Sequence, residues 1–308
     1  MEYSHQPVLL EETVRALNIK PDGVYIDCTV GGGGHSAKIA ARLDFTGGGG
    51  LICFDRDTDA IGAAQKRLSG YPVRLINGNF ADMADYGITG ADGILMDLGV
   101  SSHQLDSPER GFSFHMDAPL DMRMGDSELS AYDVANGYSE GELVKILFEY
   151  GEEKYARGIT RGIIAAREKA PIKSTRELAE IIKRNVPLSV RGGKNPCRKT
   201  FQAIRIEVND ELRSLAKGLE AAFGLLNIGG RMAIITFHSL EDRRVKNAFA
   251  ELAAGCDCPK NMPLCVCGKT PAAALITRKP ITPGERELSE NRRARSAKLR
   301  VIEKLKRL

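Results

Sequence analysis

The sequence lacks any long uninterrupted apolar run. No stretch of its 308 residues approaches the roughly 20 apolar residues that a membrane-spanning helix needs. No apolar segment follows a charged start at the N-terminus either, so nothing resembles a secretion signal. We therefore expect a cytoplasmic chain with no membrane partner.

Cysteine is scarce and odd in number. Seven cysteines in a chain without a secretion signal favour reduced thiols over a framework of disulfides. Four of them fall within twelve residues: Cys256, Cys258, Cys265 and Cys267. Four thiolates at this density can close a tetrahedral site for a structural zinc ion. The spacing is C-x-C twice instead of C-x-x-C, so a thiol cluster without metal is the alternative.

Acidic residues are absent from two basic stretches. Seven Lys or Arg lie between positions 183 and 205, and five more lie between Arg292 and Arg300. Solvated surfaces would explain either stretch alone, but the two together favour a polyanionic substrate. The candidates for binding phosphates are four residues near glycines and a proline: Arg191, Lys194, Arg198 and Lys199. A solvated linker is the alternative for this segment.

The most informative segment is a run of four glycines, Gly31 to Gly34, between two strand-like stretches that end in Asp27 and Asp55. The run fits the fingerprint G-x-G-x-x-G/A, in which missing side chains let a nucleotide-type cofactor lie against a helix N-terminus. An acid about 20 residues further on, here Asp55, usually accepts the ribose hydroxyls of an adenosine. The segment therefore predicts an adenosine-containing cofactor.

Asp27 helps to choose that cofactor. A carboxylate beside the loop repels the pyrophosphate of NAD but favours the sulfonium and ammonium groups of S-adenosyl-L-methionine. The helix N-terminus can still meet the carboxylate of the methionine part. We therefore predict S-adenosyl-L-methionine, with Asp27 in its site. An NAD-type cofactor and a purely structural glycine turn are the alternatives for this segment.

The pattern along the chain predicts an α/β fold with a helical insertion. Four strand-like stretches alternate with helical ones over the first hundred residues: 24–28, 51–55, 73–76 and 93–97. This alternation implies parallel strands with the ligand at their carboxyl ends. A long helix over 206–227 is predicted to lead into a strand at 232–237. We expect a discontinuous domain, 1–104 with 201–308, and a helical insertion, 105–200.

Asp97 ends the fourth predicted strand, as Asp27 and Asp55 end the first two. Parallel strands present their carboxyl ends at one edge of a sheet. The three acids are therefore expected to line one crevice.

Six sequence blocks lie in order along nearly the whole chain. They begin at Asp97, Glu109, Asp121, Thr200, Phe237 and Arg293 and read DLGVSS, ERGFSF, DMRM, TFQAIR, FHSLEDR and RARS. Together they closely resemble the MraW family of ribosomal RNA small subunit methyltransferases. The resemblance implies a seven-stranded, Rossmann-like methyltransferase fold with a helical substrate-binding insertion. It also implies methylation of cytosine N4 in the decoding region, at the P site, of bacterial 16S rRNA, either naked or within the small ribosomal subunit.

The resemblance also implies the site residues. The cofactor contacts of the family fall on seven positions: Gly33, Gly34, His35, Asp55, Phe80, Asp97 and Gln104. Phe80 would form an apolar wall beside adenine, with core packing as the alternative. His35 is assigned to binding and not to proton transfer. Asp-Leu-Gly-Val replaces the Asn/Asp-Pro-Pro-aromatic motif of many amine methyltransferases, so Phe112 and Phe114 are the candidates for stacking on the flipped base.

Cytosine N4 is a poor nucleophile because its lone pair is delocalised into the ring. An acceptor aimed at its N–H groups can orient the amine and stabilise the positive charge that develops on it. We assign this catalytic role to Asp97, with Ser101 and Ser102 in the following turn. These serines and His238 could instead bond the base or the ribose, or serve only local structure. The rival functions are an NAD-type oxidoreductase and a non-catalytic, RNA-binding ribosome assembly factor.

Overall fold

The structure is a computed structural model that describes residues 7–187, 189, 195–256, 258, 264 and 266–307. Three predicted site residues lie outside the described residues: Arg191, Lys194 and Cys265.

The chain forms two compact units. The first combines Met1–Gly99 with Arg213–Leu308, and the second is the continuous segment Val100–Leu212. The divisions lie at 99/100 and 212/213, whereas the sequence pattern places them at 104/105 and 200/201. The second unit extends beyond position 200 because the helix Cys197–Val208 packs against other helices of that unit.

The first unit contains a seven-stranded sheet with the order β3-β2-β1-β4-β5-β7-β6. Its strands are β1 (Val24–Asp27), β2 (Gly50–Asp55), β3 (Arg74–Asn77), β4 (Ala91–Asp97), β5 (Leu226–Thr236), β6 (Ala273–Leu275) and β7 (Lys298–Lys304). The first five strands pair in parallel, and β7 runs antiparallel to both of its neighbours. The predicted seven-stranded, Rossmann-like α/β fold is confirmed.

The α-helices contributed by both units are numbered in chain order. They are α1 (Leu10–Leu17), α2 (Gly34–Ala40), α3 (Thr58–Arg67), α4 (Ser102–Asp106), α5 (Ala131–Gly137), α6 (Glu140–Glu149), α7 (Ala156–Arg167), α8 (Thr175–Arg184), α9 (Cys197–Val208), α10 (Glu211–Leu225), α11 (Ser239–Leu252) and α12 (Glu285–Glu290). None of the helices within the described residues is long and apolar enough to cross a membrane.

The central strands β1 and β4 are buried on both faces. Alternate residues of β4 belong to two separate cores, with Ile94 in one and Leu95 in the other. Ile26 and Tyr25 divide in the same way on β1. Because successive strand side chains point to opposite faces, a sheet covered on both sides needs nearly continuous apolar strands. A polar residue then fits such a strand best at its end, where groups of the following loop can bond it.

The prediction of one long helix over 206–227 is wrong. α9 ends at Val208 and α10 begins at Glu211, with Asp210 between them in a left-handed conformation at φ +50°. Asn and Asp adopt this conformation more readily than other non-glycine residues. The side-chain amide of Asn209 donates to the Arg205 carbonyl at 3.0 Å and so binds a group that the helix end leaves open. β5 also begins at Leu226, before the predicted position 232.

The second unit is helical, with α5 to α9 packed around one apolar core. Each of these helices contributes fully or almost fully buried side chains: Val134, Leu147, Ile163, Ile182 and Phe201. This core is separate from the two cores of the sheet.

Candidate active site

Asp27, Asp55 and Asp97 are the last residues of β1, β2 and β4. These three strands are parallel neighbours in the order β2-β1-β4. The three carboxyl groups therefore lie at the same edge of the sheet, as the sequence pattern predicts. This edge is the carboxyl end of the parallel strands, where open α/β sheets bind their ligands.

Asp27 is almost completely buried, and protein groups bond both of its oxygens. The Ser36 hydroxyl donates to Oδ2 at 2.6 Å, and the Thr29 backbone N–H donates to Oδ1 at 3.1 Å. Burial raises the pKa of Asp27 to about 6, although both hydrogen bonds oppose that shift. Asp27 therefore fastens the glycine loop and the start of α2 to the end of β1.

Asp55 connects the glycine loop to β2. Its Oδ2 accepts from the Gly31 backbone N–H at 2.8 Å, and its Oδ1 accepts from the Asp57 backbone N–H at 3.0 Å. Burial raises the pKa of Asp55 to about 6 against these bonds. A carboxylate has about four lone-pair sites, so the two that remain can accept the hydroxyls of a ribose.

Asp97 has an unsatisfied oxygen. Its Oδ1 is buried and has no hydrogen-bond partner among the described residues. Its Oδ2 lies 3.5 Å from Nδ1 of His35, and its backbone N–H donates to the Thr29 hydroxyl at 2.6 Å. Leaving a buried acceptor unpaired costs about 1–3 kcal/mol. Such an atom can accept a hydrogen bond from a ligand or from ordered water.

The charge around Asp97 makes its ionised form costly in the unliganded protein. Burial raises the pKa of Asp97 well above its usual range, and the carboxyl groups of Asp27, Glu241 and Glu287 raise it further. A cation or a strong hydrogen-bond donor at this position would favour the ionised carboxylate.

His35 supports Asp97 from the glycine loop. Nε2 of this buried imidazole is 3.1 Å from the Val8 carbonyl. Because a carbonyl can only accept, Nε2 carries a proton. Nδ1 can then accept from Asp97 Oδ2 when that carboxyl group is protonated, or donate to the carboxylate when the ring is doubly protonated. Gly33, the N-cap of α2, has φ +74°, which a residue with a side chain rarely adopts. Gly34 leaves room for the Pro7 ring, which a Cβ atom would meet.

Phe80 follows β3 at the start of a 3₁₀-helix, Phe80–Tyr86. Its ring packs on Gly218 of α10, where an added Cβ would lie within 2.5 Å of two ring carbons. Phe80 is half-buried and packs at the border of one core of the sheet. A packing role is therefore evident, and the adenine wall stays a prediction.

Ser101 and Gln104 form a capping box at the start of α4. The Ser101 hydroxyl accepts from the Gln104 backbone N–H at 3.2 Å, and Gln104 Oε1 accepts from the Ser101 backbone N–H at 3.0 Å. This reciprocal bonding satisfies two N–H groups of the helix end. It gives both residues a local structural role. Ser102 is the first residue of the helix and is half-buried. The predicted substrate and cofactor roles of these residues stay predictions.

His238 caps α11 in the same manner. Its Nδ1 accepts from the Glu241 backbone N–H at 3.4 Å, and its Nε2 lies 3.2 Å from Glu241 Oε1. The other oxygen of Glu241 accepts from the backbone N–H groups of Phe237 and His238 at 2.8 and 3.2 Å. Helix capping thus engages Nδ1, whereas the buried Nε2 lies near the Glu241 carboxyl group without a hydrogen bond to any described residue. Substrate binding by His238 stays a prediction.

The two phenylalanines proposed for base stacking differ in burial. Phe112 is 6% exposed and belongs to the core of the helical unit. Phe114 is half-buried and lies edge-on to Phe201, with ring centroids 5.3 Å apart. A ring inside a packed core cannot stack on a base without leaving that core. Phe114 is therefore the stronger of the two candidates.

Arg198 and Lys199 occupy the first turn of α9, and both are exposed. No acidic residue accompanies them in that turn, and the Lys199 ammonium donates to the Glu152 carbonyl at 2.6 Å. Their charge therefore adds to the positive end of the helix dipole.

Two residues of the second basic stretch form ion pairs within the fold. Arg300 Nε donates to Asp242 Oδ1 at 2.7 Å, and Lys298 Nζ donates to Oδ2 at 2.9 Å. Burial disfavours the charge of Asp242, but these two partners outweigh it and lower its pKa. Of the five basic residues in this stretch, only Arg292, Arg293 and Arg295 are exposed.

Three of the four candidate metal ligands come together in the structure. The sulfur atoms of Cys256, Cys258 and Cys267 all lie within 4.8 Å of one another. Cys265 is outside the described residues.

The sequence interpretation missed Thr29 and Ser36. Thr29 joins the ends of β1 and β4, because its backbone N–H donates to Asp27 and its hydroxyl accepts from the backbone N–H of Asp97. Ser36 fixes the other oxygen of Asp27. Their position beside the glycine run, as the only hydroxyl residues between β1 and the middle of α2, is the signal that could have identified them.

The chain matches known proteins over its whole length. The model of the MraW methylase family matches residues 2–305. The chain is 53% identical over 312 residues to Ribosomal RNA small subunit methyltransferase H of Carboxydothermus hydrogenoformans, with 99% of both chains covered. Proteins of the same name from Clostridium botulinum (strain Kyoto / Type A2) and Brevibacillus brevis are 53% and 50% identical, covering 99% of this chain and 100% and 99% of theirs. With a family model and relatives that agree along the entire sequence, the chain belongs to the MraW methylase family.

Proposed function

We propose that this protein transfers a methyl group from S-adenosyl-L-methionine to the N4 amine of a cytosine in the decoding region, at the P site, of bacterial 16S rRNA. The substrate would be the RNA within the small ribosomal subunit, in the cytoplasm. The observation that carries the proposal is the buried, unpartnered Oδ1 of Asp97 at the carboxyl end of β4. The names of the relatives support the RNA, and the resemblance of the sequence blocks supports the position and the amine.

The residues at the sheet edge fit S-adenosyl-L-methionine. When bound, it supplies an electrophilic methyl group on a sulfonium. Asp27 and Asp97 provide negative charge that favours its sulfonium and ammonium groups, and Asp55 offers acceptors for its ribose hydroxyls. The carboxylates at this edge would repel the pyrophosphate of NAD, which disfavours that cofactor.

Asp97 can serve the amine as well as the methyl donor. Its Oδ2 faces His35, so Oδ1 is the oxygen left to accept from an N–H of the cytosine amine. That bond would aim the nitrogen lone pair at the methyl group and stabilise the positive charge that forms on nitrogen. Because the carboxyl group is already held in place, it needs no rearrangement at the moment of reaction.

We expect the affinity for S-adenosyl-L-methionine to fall as the pH is lowered through 6. Burial raises the pKa values of Asp27 and Asp55 to about 6. In the cofactor-free protein, this shift favours stability at low pH, and that contribution is lost as the pH rises through 6. The cofactor favours the ionised carboxylates, so below pH 6 its binding must displace their protons and the affinity falls. Between pH 7.5 and 5, the dissociation constant should rise about tenfold for each carboxylate that must ionise.

Isothermal titration calorimetry at the two pH values measures this change. The Asp27→Asn variant is the matched control, because it should lose the share of the pH dependence that Asp27 contributes. A dissociation constant that is the same at pH 5 and 7.5 in the wild-type protein would contradict the assignment of these carboxylates.

The helical unit supplies a candidate RNA-binding surface. Arg198 and Lys199 are exposed at the N-terminal turn of α9, where Pro196 is the N-cap and provides no side-chain hydrogen bond. Two cations at the positive end of a helix dipole are repelled by it, and a phosphate would relieve this repulsion. Arg191 and Lys194 precede this turn in the sequence and complete the proposed phosphate-binding set.

Changing Arg198 and Lys199 together to alanine should flatten the salt dependence of RNA binding. Each lost phosphate contact removes about 0.7–0.9 from the slope of log affinity against log salt, so the pair should account for about 1.5. Adding Arg191→Ala and Lys194→Ala should bring the change to about 2–4 units. Binding of small subunits or 16S rRNA across a series of KCl concentrations gives the slopes.

The matched control for this test is the double variant Lys145→Ala with Lys169→Ala. Both lysines are exposed in the same unit and belong to no proposed contact, so the slope should be unchanged. If the Arg198/Lys199 variant also kept the wild-type slope, the segment would be a solvated linker. Arg292, Arg293 and Arg295 would then be the candidates for RNA binding.

Transfer of a tritiated methyl group tests the function against its rivals. Small subunits from a strain that lacks the enzyme should incorporate label from S-adenosyl-L-methionine, with deproteinised 16S rRNA as the comparison substrate. NAD should show no binding by calorimetry. Tight binding of subunits without any incorporation would favour a non-catalytic assembly factor.

A further inference from the structure

The two described ends of the segment between α11 and β6 lie side by side. The Ala272 backbone N–H donates to the Leu252 carbonyl at 2.8 Å. Gly255 lies against Pro271, whose Cγ would be 3.3 Å from a Cβ added at the glycine. The outgoing and returning arms of the segment are therefore adjacent where it joins the fold.

Each arm brings cysteine to the same point. Cys256 and Cys258 belong to the outgoing arm and Cys267 to the returning arm, and their sulfur atoms lie within 4.8 Å of one another. The sulfurs of Cys256 and Cys267 are 3.6 Å apart, far beyond the ~2.05 Å of a disulfide. Tetrahedral zinc with Zn–S bonds of about 2.3 Å places its sulfurs about 3.8 Å apart. The observed spacing is thus close to that of a zinc site.

Backbone N–H groups already point at these sulfurs. Cys256 Sγ accepts from the Cys258 backbone N–H, and Cys258 Sγ accepts from the Val266 backbone N–H, both at 3.4 Å. Hydrogen bonds to the ligand atoms orient them and stabilise the negative charge of a thiolate. Cys258 N–H and Val266 N–H would therefore serve as the outer bonds of a metal site.

The described part of the segment has no apolar core of its own. Leu264 and Val266 are 78% and 72% exposed. Long connections without buried apolar contacts are uncommon in compact domains, and small units that cannot bury a core are commonly held by a disulfide or a metal. The thiol cluster is the feature of the described residues that can do this.

We propose that Cys256, Cys258 and Cys267 bind a Zn²⁺ ion as thiolates and that this ion joins the two arms of the segment. Binding releases the thiol protons to solvent. The three sulfurs fill three positions of a tetrahedral site; Cys265 is outside the described residues. The role is structural, since the cluster lies in the connection after α11 and not at the carboxyl edge of β1, β2 and β4. It does not depend on the proposed methyl transfer.

Zinc content of the full-length protein tests the proposal. Protein prepared with reductant and dialysed against metal-free buffer should retain one zinc ion per chain by atomic emission. Cys256→Ser and Cys267→Ser should each weaken zinc retention against a chromophoric chelator by more than the 10- to 100-fold that loss of an outer bond costs. Cys197→Ala, which removes a buried thiol from the helical unit, should keep its zinc.

A second measurement does not depend on the folding of any variant. Co²⁺ added to the metal-stripped wild-type protein should give the visible absorption bands of a tetrahedral thiolate site, and zinc should abolish them. Limited proteolysis should cut the segment faster after chelation. Wild-type protein without stoichiometric zinc, a double Cys256→Ser/Cys267→Ser variant that keeps it, or a disulfide within the cluster would each overturn the proposal.

Discussion

Replacing Asp97 by alanine should lower the turnover of methyl transfer by roughly 10²–10³, the loss that follows removal of one preorganised electrostatic contact. The expected effect is large because Oδ1 of Asp97 is buried and unpartnered among the described residues, while Oδ2 faces His35. Asp97 is the only described carboxylate at the carboxyl end of β4, so no other residue of that strand can take over its contact with the amine. Single-turnover kinetics with saturating cofactor and small subunits measure the step.

Asp92→Ala is the matched control, because Asp92 belongs to the same strand at its opposite end, where it accepts from the Val24 backbone N–H at 3.1 Å. Its turnover should stay close to that of the wild-type protein. Folding offers an independent check. Since burial raises the pKa of Asp97, the carboxyl group costs the folded state stability that increases as the pH rises above the pKa of the unfolded chain, so cofactor-free Asp97→Asn should unfold at a higher temperature than the wild-type protein at neutral pH. Full turnover in Asp97→Ala would rule out its catalytic role.

Replacing Asp55 by alanine should weaken the binding of S-adenosyl-L-methionine by about 1.5–3 kcal/mol, the range for hydrogen bonds to a charged group. This corresponds to a dissociation constant roughly 10- to 150-fold higher. Asp55 also accepts from the backbone N–H groups of Gly31 and Asp57. The variant could therefore lose affinity through the loop instead of through the ribose.

A double-mutant cycle separates these two causes. S-adenosylhomocysteine and its 2′-deoxy analogue should differ in affinity for the wild-type protein but bind Asp55→Ala almost equally. Asp59→Ala, which changes an exposed neighbour on α3, should preserve the wild-type discrimination. An Asp55→Ala variant that still discriminates fully against the 2′-deoxy analogue would show that Asp55 does not bind the ribose.

The strand ends of the site were predictable for a clear physical reason. Strands buried on both faces are nearly continuous in apolar residues, so an acid such as Asp27 is accommodated at the strand end, where the following loop can supply hydrogen-bond donors. Parallel pairing then brings such ends to one edge. The break between α9 and α10 was not predictable in this way, because Asn209 and Asp210 are also tolerated on the exposed side of a continuous helix.

Other residues depend on partners that the local sequence does not specify. Ser101 and His238 are ordinary polar residues in sequence, and only the structure reveals that helix capping engages them. Arg300 reads as part of a basic surface, yet Asp242, 58 positions away, pairs with it in the fold. Phe112 and Phe114 cannot be distinguished by sequence, because burial of the former is set by the packing of the whole helical unit.

Identification of the methylated nucleoside tests the central claim most directly. Small subunits from a strain without the enzyme would be methylated by the purified protein, and their 16S rRNA digested and separated by liquid chromatography with fragmentation mass spectrometry. N4-methylcytidine, from one position in the decoding region and absent with Asp97→Ala, is the predicted product. A methyl group on cytosine C5, on a ribose 2′-hydroxyl or on another base would contradict the claim that Asp97 directs the transfer to an exocyclic amine.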